Sequence, residues 1–470
     1  MKTKVLIAAL AAVTVMGAGA KNVKGRVFCG KSGLGGVVVT DGRGFTRTDS
    51  LGNYDFDADD NADFVYIVTP SGYVASYSSG TPCFYKSLGA KKFDFELFEF
   101  GARGGTYTML AVGDTQPGSD RDYERLEAEA FPDLKAYGDS LMKSGMPVAA
   151  IALGDLVWDN SETYGRYKNG LKQLGYPVYP VIGNHDHEGM FTDNYKSELS
   201  YKKNFGPAYY AFNIGRDYYI VLDNIFYKGN YSYDEVITGE QLEWVRNYTQ
   251  YIPKGSHVFV AMHAPAYVYK GGRVLKGSDE LMDILSDYHV SILSGHTHVN
   301  SNILLRPNVR EHMIASIGGA WWLGDCKYCM DGTPMGYQVF ESTPRGLSWK
   351  FKSLGYPDTY QMRVFPFGTF PGRTDELCVK VWNWDEGWKV EWKEDGKLKG
   401  AMVQFPSVDP DYSGYLQRRY AQGAKKETWR FPMENKFCFF SAKPSDGAEE
   451  VEVIVTDRFG REYRQICKIR

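Results

Sequence analysis

Between residues 107 and 298 the chain repeats one pattern five times: a short apolar run, then an abrupt stop at metal-binding residues. The runs are Tyr107–Val112, Val148–Leu153, Val178–Ile182, Val258–Met262 and Val290–Leu293. They are apolar nearly throughout, as strands covered on both faces must be. Helical stretches lie between several of them, at Tyr123–Lys143, Gly239–Tyr251 and Asp279–Tyr288. Strands alternating with helices predict βαβ units and a central layered sheet. Ala208–Ile214 and Tyr218–Asp223, joined at Gly215, add an antiparallel pair.

The stops carry the chemistry. They read Gly113-Asp114-Thr115-Gln116, Gly154-Asp155, Gly183-Asn184-His185-Asp186, His263 and Gly295-His296-Thr297-His298. In an open α/β sheet the carboxyl ends of the strands line one crevice. Separate segments therefore deliver three Asp, one Asn and four His to one place. Mixed carboxylate and imidazole donors suit Mn, Zn or Fe better than Ca. The donors outnumber the needs of one tetrahedral site. A carboxylate shared by two ions ~3.5–4 Å apart accounts for the surplus, and such pairs serve in-line phosphoryl displacement.

This ordered set, GD, GD, GNHD, H and GHTH, resembles the calcineurin-like metallophosphoesterase superfamily, as do NFGPAYYAFNIGRDYYIVLDN and GEQLEWV. The resemblance implies a four-layer α/β (α+β) core, two packed mixed β-sheets flanked by helices. It implies two divalent metal ions bridged by Asp155, with Asp114, His298 and position 116 at the first and Asn184, His263 and His296 at the second. A metal-activated hydroxide would attack the phosphorus of a small phosphoester, monoester or diester. His185 would assist the leaving group, and Asp186 would orient His185. One position departs from the family: Gln116 stands where a His is usual. Its amide is either a weak neutral ligand favouring a harder metal, or a partner for a metal-bound water.

The flanks read differently. Residues 21–102 alternate short β-like runs with Gly and Asp turns, which predicts a small antiparallel sandwich. GVVVTDGRGFTRTDSLGNYDF is similar to the transthyretin-like, carboxypeptidase-regulatory type of β-sandwich. Residues 103–362 would form the catalytic region. Residues 363–470 lose the βα rhythm, are rich in Trp and Tyr, and predict a second β-sandwich. These β-domains are where contact with an envelope or glycan would fall.

Lys2 and Lys4, the apolar run Val5–Met16 and Ala18-Gly19-Ala20 predict a signal peptide over residues 1–20, hence export to the periplasm or beyond. No later stretch reaches the ~18 apolar residues of a membrane span, so no membrane anchor is expected. Export permits disulfides. With seven Cys at least one stays unpaired within a monomer; Cys29 and Cys83 form one candidate pair. Cys326 and Cys329 suggest a local disulfide or two buried thiols. A net charge of -3 shows no excess of the kind nucleic-acid binders use.

Several residues keep two readings. Asp159 and Asn160 either support the site or form an exposed turn. His187 either reaches substrate or does not, and His257, His289 and His312 read as structural or exposed. Trp321, Trp322 and the segment Asp331–Tyr337 form a pocket wall or pack a core. Tyr123 and Arg125 read as an exposed helix face. The competing function is an exported binding protein whose central region has lost catalysis.

Overall fold

The computed structural model describes residues 20–268, 273–427 and 429–469. The expected signal peptide lies almost wholly outside the described residues, since these begin at Ala20. The central region is built on β1 (Tyr107–Val112), β2 (Val148–Ala152), β3 (Val178–Pro180), β4 (Tyr210–Ile214) and β5 (Asp217–Val221). It continues through β6 (His257–Ala261), β7 (His289–Ser294), β8 (Ser301–Arg306), β9 (Val309–Met313), β10 (Gly336–Thr343) and β11 (Gly346–Ser353). One sheet has the order β3-β2-β1-β10-β11, and the other β4-β5-β6-β7-β9-β8. Strands β1 to β3 run parallel to one another, as do β5, β6, β7 and β9. Their carboxyl ends therefore point one way within each sheet.

The two sheets pack through an aromatic seam. Tyr179 of the first sheet stacks on Phe212 of the second, with ring centroids 3.6 Å apart. Tyr219 and Phe259 continue the stack, and Phe340 closes it from the first sheet. Each such pair is worth about 0.5–1.5 kcal/mol beyond its buried area. Side chains alternate across a strand, so Met109 and Ala111 face this seam while Leu110 and Val112 face outward. The outward set packs on α1 (Phe131–Lys143) and α2 (Tyr164–Lys172) through Phe131, Leu134 and Leu171. Helices α3 (Gly239–Thr249) and α4 (Ser278–Ile284) bring Leu242, Val245 and Leu281 into the other cluster. The result is the expected four-layer core of two mixed sheets between helices.

Residues Ala20–Cys29 pair with Asn53–Asp59, and a second small sheet holds Val38–Thr40, Phe45–Arg47, Phe64–Ile67 and Tyr85–Ser87. This sandwich leans on the core through Phe45 on Trp244 and Phe84 on Tyr210. Two four-stranded sheets follow the core after residue 361. They are interrupted by α5 (Pro410–Ala421), which an all-β reading of this tail does not anticipate. Asp409 caps it, and Tyr412 and Leu416 pack on Ala320, Leu323 and Met330.

Two expectations need correction here. Tyr123 and Arg125 are buried: the Tyr123 hydroxyl donates to the Thr163 carbonyl and Arg166 lies over its ring, while Arg125 donates to the carbonyls of Gly324 and Cys326 and pairs with Glu129. All seven cysteines are free thiols, so no Cys29–Cys83 link exists, and Cys326 and Cys329 are both buried thiols rather than a local disulfide. Among the described residues no helix is long and apolar enough to cross a membrane.

Candidate metal centre

The strands stop where the expected ligands begin, and the backbone there leaves the β region. Asp114, Gln116, Asp155, His296 and His298 all have positive φ, between 39 and 67°. A side-chain-bearing residue in this left-handed region costs roughly 1–2 kcal/mol, with Asp and His among the types that tolerate it best. Each sharp turn aims a side chain back over the end of its sheet. Strain gathered at one point of a fold marks a functional site.

Asp155 lies at the middle. Its Oδ1 accepts the His185 backbone N–H at 2.9 Å and sits 3.3 Å from His263 Nε2. Its Oδ2 accepts from the Gln116 side-chain amide at 2.8 Å. Asp114 accepts the His296 backbone N–H and lies 3.6 Å from His298 Nε2. Asn184 Oδ1 is 3.1 Å from His263 Nε2. All seven residues expected to hold metal thus converge around the Asp155 carboxylate.

The tautomers show what the cluster lacks. A carbonyl can only accept, so His263 Nδ1 donates to Leu153 O and His298 Nδ1 donates to Gly319 O. Their Nε2 atoms are bare lone pairs. His296 Nε2 faces the Glu235 carboxylate at 3.3 Å, which leaves its Nδ1 bare as well, 3.0 Å from His263 Nε2. Lone pairs of His263, His296, Asn184 and Asp155 therefore meet with no hydrogen between them. Only a proton or a cation makes this stable. Without metal the need is met by protonation: burial opposes it, but Asp155 and Asp114 lift His263 to about 10. Burial and the neighbouring Asp155 charge likewise raise Asp114. Gln116 Oε1 is buried without a partner, a further oxygen donor aimed at no hydrogen.

The residue expected to orient His185 does something else. Asp186 accepts from the backbone N–H groups of Gly183 and Leu156 and from the Tyr164 hydroxyl. It pins the Asn184–Asp186 turn to the end of β2, and does not touch the His185 ring. Burial, then the Asp155 charge, push Asp186 up to about 7. The partner of His185 is Asp159, whose Oδ1 lies 2.8 Å from Nδ1. Burial opposes protonation of His185, yet Asp155 and Asp159 outweigh it and raise its pKa.

Three indoles wall the site. Trp158 lies against His185 with centroids 4.6 Å apart, and Trp321 stacks on His298 at 4.1 Å. Trp429, from the last part of the chain, meets Trp321 edge-on at 4.7 Å and remains 39% exposed, so part of its surface is open to a ligand. Trp322 instead packs inside, donating to the Thr115 carbonyl. Sequence reasoning missed Glu235, Trp158 and Trp429. Glu235 and Trp429 lie in segments without motif, and the adjacency of Trp158 to Asp159 was the only available signal.

Two mixed sheets with a cluster of carboxylates and imidazoles at their common end define a metallophosphoesterase fold. Sequence models agree across nearly the whole chain: N terminal of calcineurin-like phosphoesterase at residues 21–102, calcineurin-like phosphoesterase at 107–300, and C terminal of calcineurin-like phosphoesterase at 311–463. The chain belongs to the calcineurin-like phosphoesterase family and is a phosphoric ester hydrolase. No match is found among curated proteins. Similar solved structures include a dimetal phosphatase from Danio rerio, 11% identical, covering 53% of this chain and 96% of that one, TM-score 0.38. A purple acid phosphatase from yellow lupin (Lupinus luteus) seeds is 12% identical, covering 67% and 71%, TM-score 0.38. A 5′-nucleotidase from Candida albicans is 14% identical, covering 54% and 52%, TM-score 0.34.

Proposed function

We propose that this protein hydrolyses small phosphate esters with two divalent metal ions held around Asp155. The observation that carries this reading is the meeting of His263 Nε2 and His296 Nδ1 at 3.0 Å, beside Asn184 and Asp155, an arrangement that needs a proton or a cation between its acceptors. Asp114, His298 and Gln116 Oε1 would hold the first ion, Asn184, His263 and His296 the second, with Asp155 shared. When bound, such a pair supplies an activated water and neutralises charge on the phosphoryl oxygens. Nitrogen and oxygen donors together suit Mn, Zn or Fe, and the neutral Gln116 oxygen favours the harder Mn at the first position.

The chain's own groups do the rest. Glu235 holds His296 in the tautomer that leaves Nδ1 bare, an orienting task whose loss typically costs about 10–100-fold in metal affinity or activity. His185 donates a proton to the departing oxygen, and Asp159 keeps it protonated and turned toward the centre. An acid of this kind works below its pKa and fails as pH rises through it. Asp159→Asn removes a cause of the raised pKa, so the alkaline limb of kcat against pH is expected to move to lower pH. An unshifted limb with lowered activity would mean that Asp159 has only a packing role.

Trp158, Trp321 and Trp429 offer an apolar wall beside the leaving-group side. Trp429→Ala is expected to raise KM for an aryl phosphate about fivefold, near 1 kcal/mol of ring contact. KM for glycerol phosphate should hardly change, and equal effects on both would argue against a leaving-group wall.

The reading as a whole is tested on the metal-reconstituted protein. About two ions per chain are expected, with hydrolysis of p-nitrophenyl phosphate or its bis ester, and the ratio separates monoester from diester preference. Nucleotides, cyclic nucleotides, sugar phosphates and phospholipid headgroups complete the panel. No hydrolysis with Mn, Zn, Fe or Co, and one ion or none, would favour a binding protein with a degenerate centre instead.

A further inference from the structure

His187 lies three residues beyond Asn184 on the same loop but serves a different place. Its ring is 1% exposed and stacks on Tyr227 at 5.4 Å, so it does not reach substrate. Nδ1 is 2.9 Å from the Gly183 carbonyl, which can only accept, so Nδ1 carries the hydrogen. Nε2 is then a bare lone pair, buried and without a hydrogen-bond partner. It points at Asp223 Oδ2, 3.8 Å away. Asp223 Oδ1 is engaged with the Ile225 N–H, which leaves Oδ2 as the free oxygen. Glu198 brings a third donor, and one ligand atom from each of the three lies within 4.8 Å of the others. All three residues are buried.

The charges do not balance. Lys202 is paired with Glu198 at 2.8 Å and Asp63 at 3.1 Å. One ammonium thus faces the carboxylates of Glu198, Asp223 and Asp63. A buried lone pair set against an uncompensated carboxylate is unfavourable unless a proton or a cation lies between them. We propose that His187, Glu198 and Asp223 hold a further divalent cation, separate from the catalytic pair, that ties the Gly183–His187 loop to the chain around residues 198 and 223. One imidazole with two carboxylates suits zinc or a similar first-row ion. Two ligand atoms on one zinc stand about 3.3 Å apart, so the 3.8 Å gap closes with a shift of a few tenths of an ångström. A cleft of about 860 Å³ between the first sandwich and the core is lined by Asp63, Asn194, Glu198, Lys202 and Asp223. It gives the ion a path and supplies water for its remaining positions.

The experiment uses the full chain equilibrated with zinc, with metal content measured per chain. Asp223→Asn and His187→Gln are each expected to carry about one zinc fewer than the parent. Adding either to Asp155→Asn should remove zinc that Asp155→Asn retains. Crystals of the parent protein soaked in zinc should show an anomalous peak between His187 and Asp223, a measurement that needs no variant to fold. No peak there, or equal zinc in parent and Asp223→Asn, overturns the proposal. If Asp223→Asn loses zinc while Asp155→Asn loses none, this site stands and the catalytic pair falls; the reverse pattern sinks this site alone.

Discussion

Asp155→Asn is expected to lower kcat/KM by roughly a thousandfold or more and to release the paired metals, with the fold retained. The size follows from the proposed position: one carboxylate would serve both ions, so its loss would weaken both sites at once, unlike the ~10–100-fold of an orienting group. Retention of the fold follows from the backbone. Residue 155 has φ 49°, and Asn is the replacement that best tolerates the left-handed region. Asn also keeps an oxygen for the His185 N–H. Metal analysis, kcat/KM and the melting midpoint of the metal-free protein check this together. Two ions still bound at full occupancy would remove Asp155 from the role of shared ligand.

Gly183→Ala is expected to be nearly as damaging for a purely steric reason. The backbone at Gly183 is extended, with φ -116° and ψ 178°, so any residue could adopt it. A methyl group there would lie 2.2 Å from the Asp155 backbone nitrogen and 2.3 Å from Asp155 Oδ1. Neither atom can yield without moving the end of β2. Overpacking of this kind costs about 1–3 kcal/mol, occasionally more. Displacing the shared carboxylate by ~1 Å costs on the order of a hundredfold in rate. A variant with wild-type melting and activity would show that the β2 and β3 ends are not as closely apposed as described.

The strands that carry the proposed ligands were legible because a strand buried on both faces must be largely apolar, and β1, β2, β3, β6 and β7 are. Gln116 stood out for the same reason, as the odd member of a known order. Other features had no such signature. Helix α5 is polar on much of its surface and is stabilised by packing on Leu323 and Met330. Tyr123 and Arg125 looked like a solvated helix face, and they are covered by residues distant in sequence, Thr163 and Arg166 at Tyr123, Trp322, Gly324 and Cys326 at Arg125. Asp186 sits next to His185 in sequence, but the short helical turn at 184–186 points the two side chains apart.

The opening pattern of apolar runs ending in metal-binding residues determined by itself the class of fold and which residues meet. Burial and strand alternation follow from local composition, and carboxyl ends gather wherever parallel strands do. Tertiary structure alone decided the roles. The lone pairs left bare at His263, His296 and His298 depend on which carbonyl or carboxylate meets the other ring nitrogen: Leu153, Glu235 and Gly319. Asp159 rather than Asp186 serves His185, and His187 turns from the centre toward Asp223. Hydrogen bonding is directional over a few tenths of an ångström, and spacing along a chain does not encode direction in space.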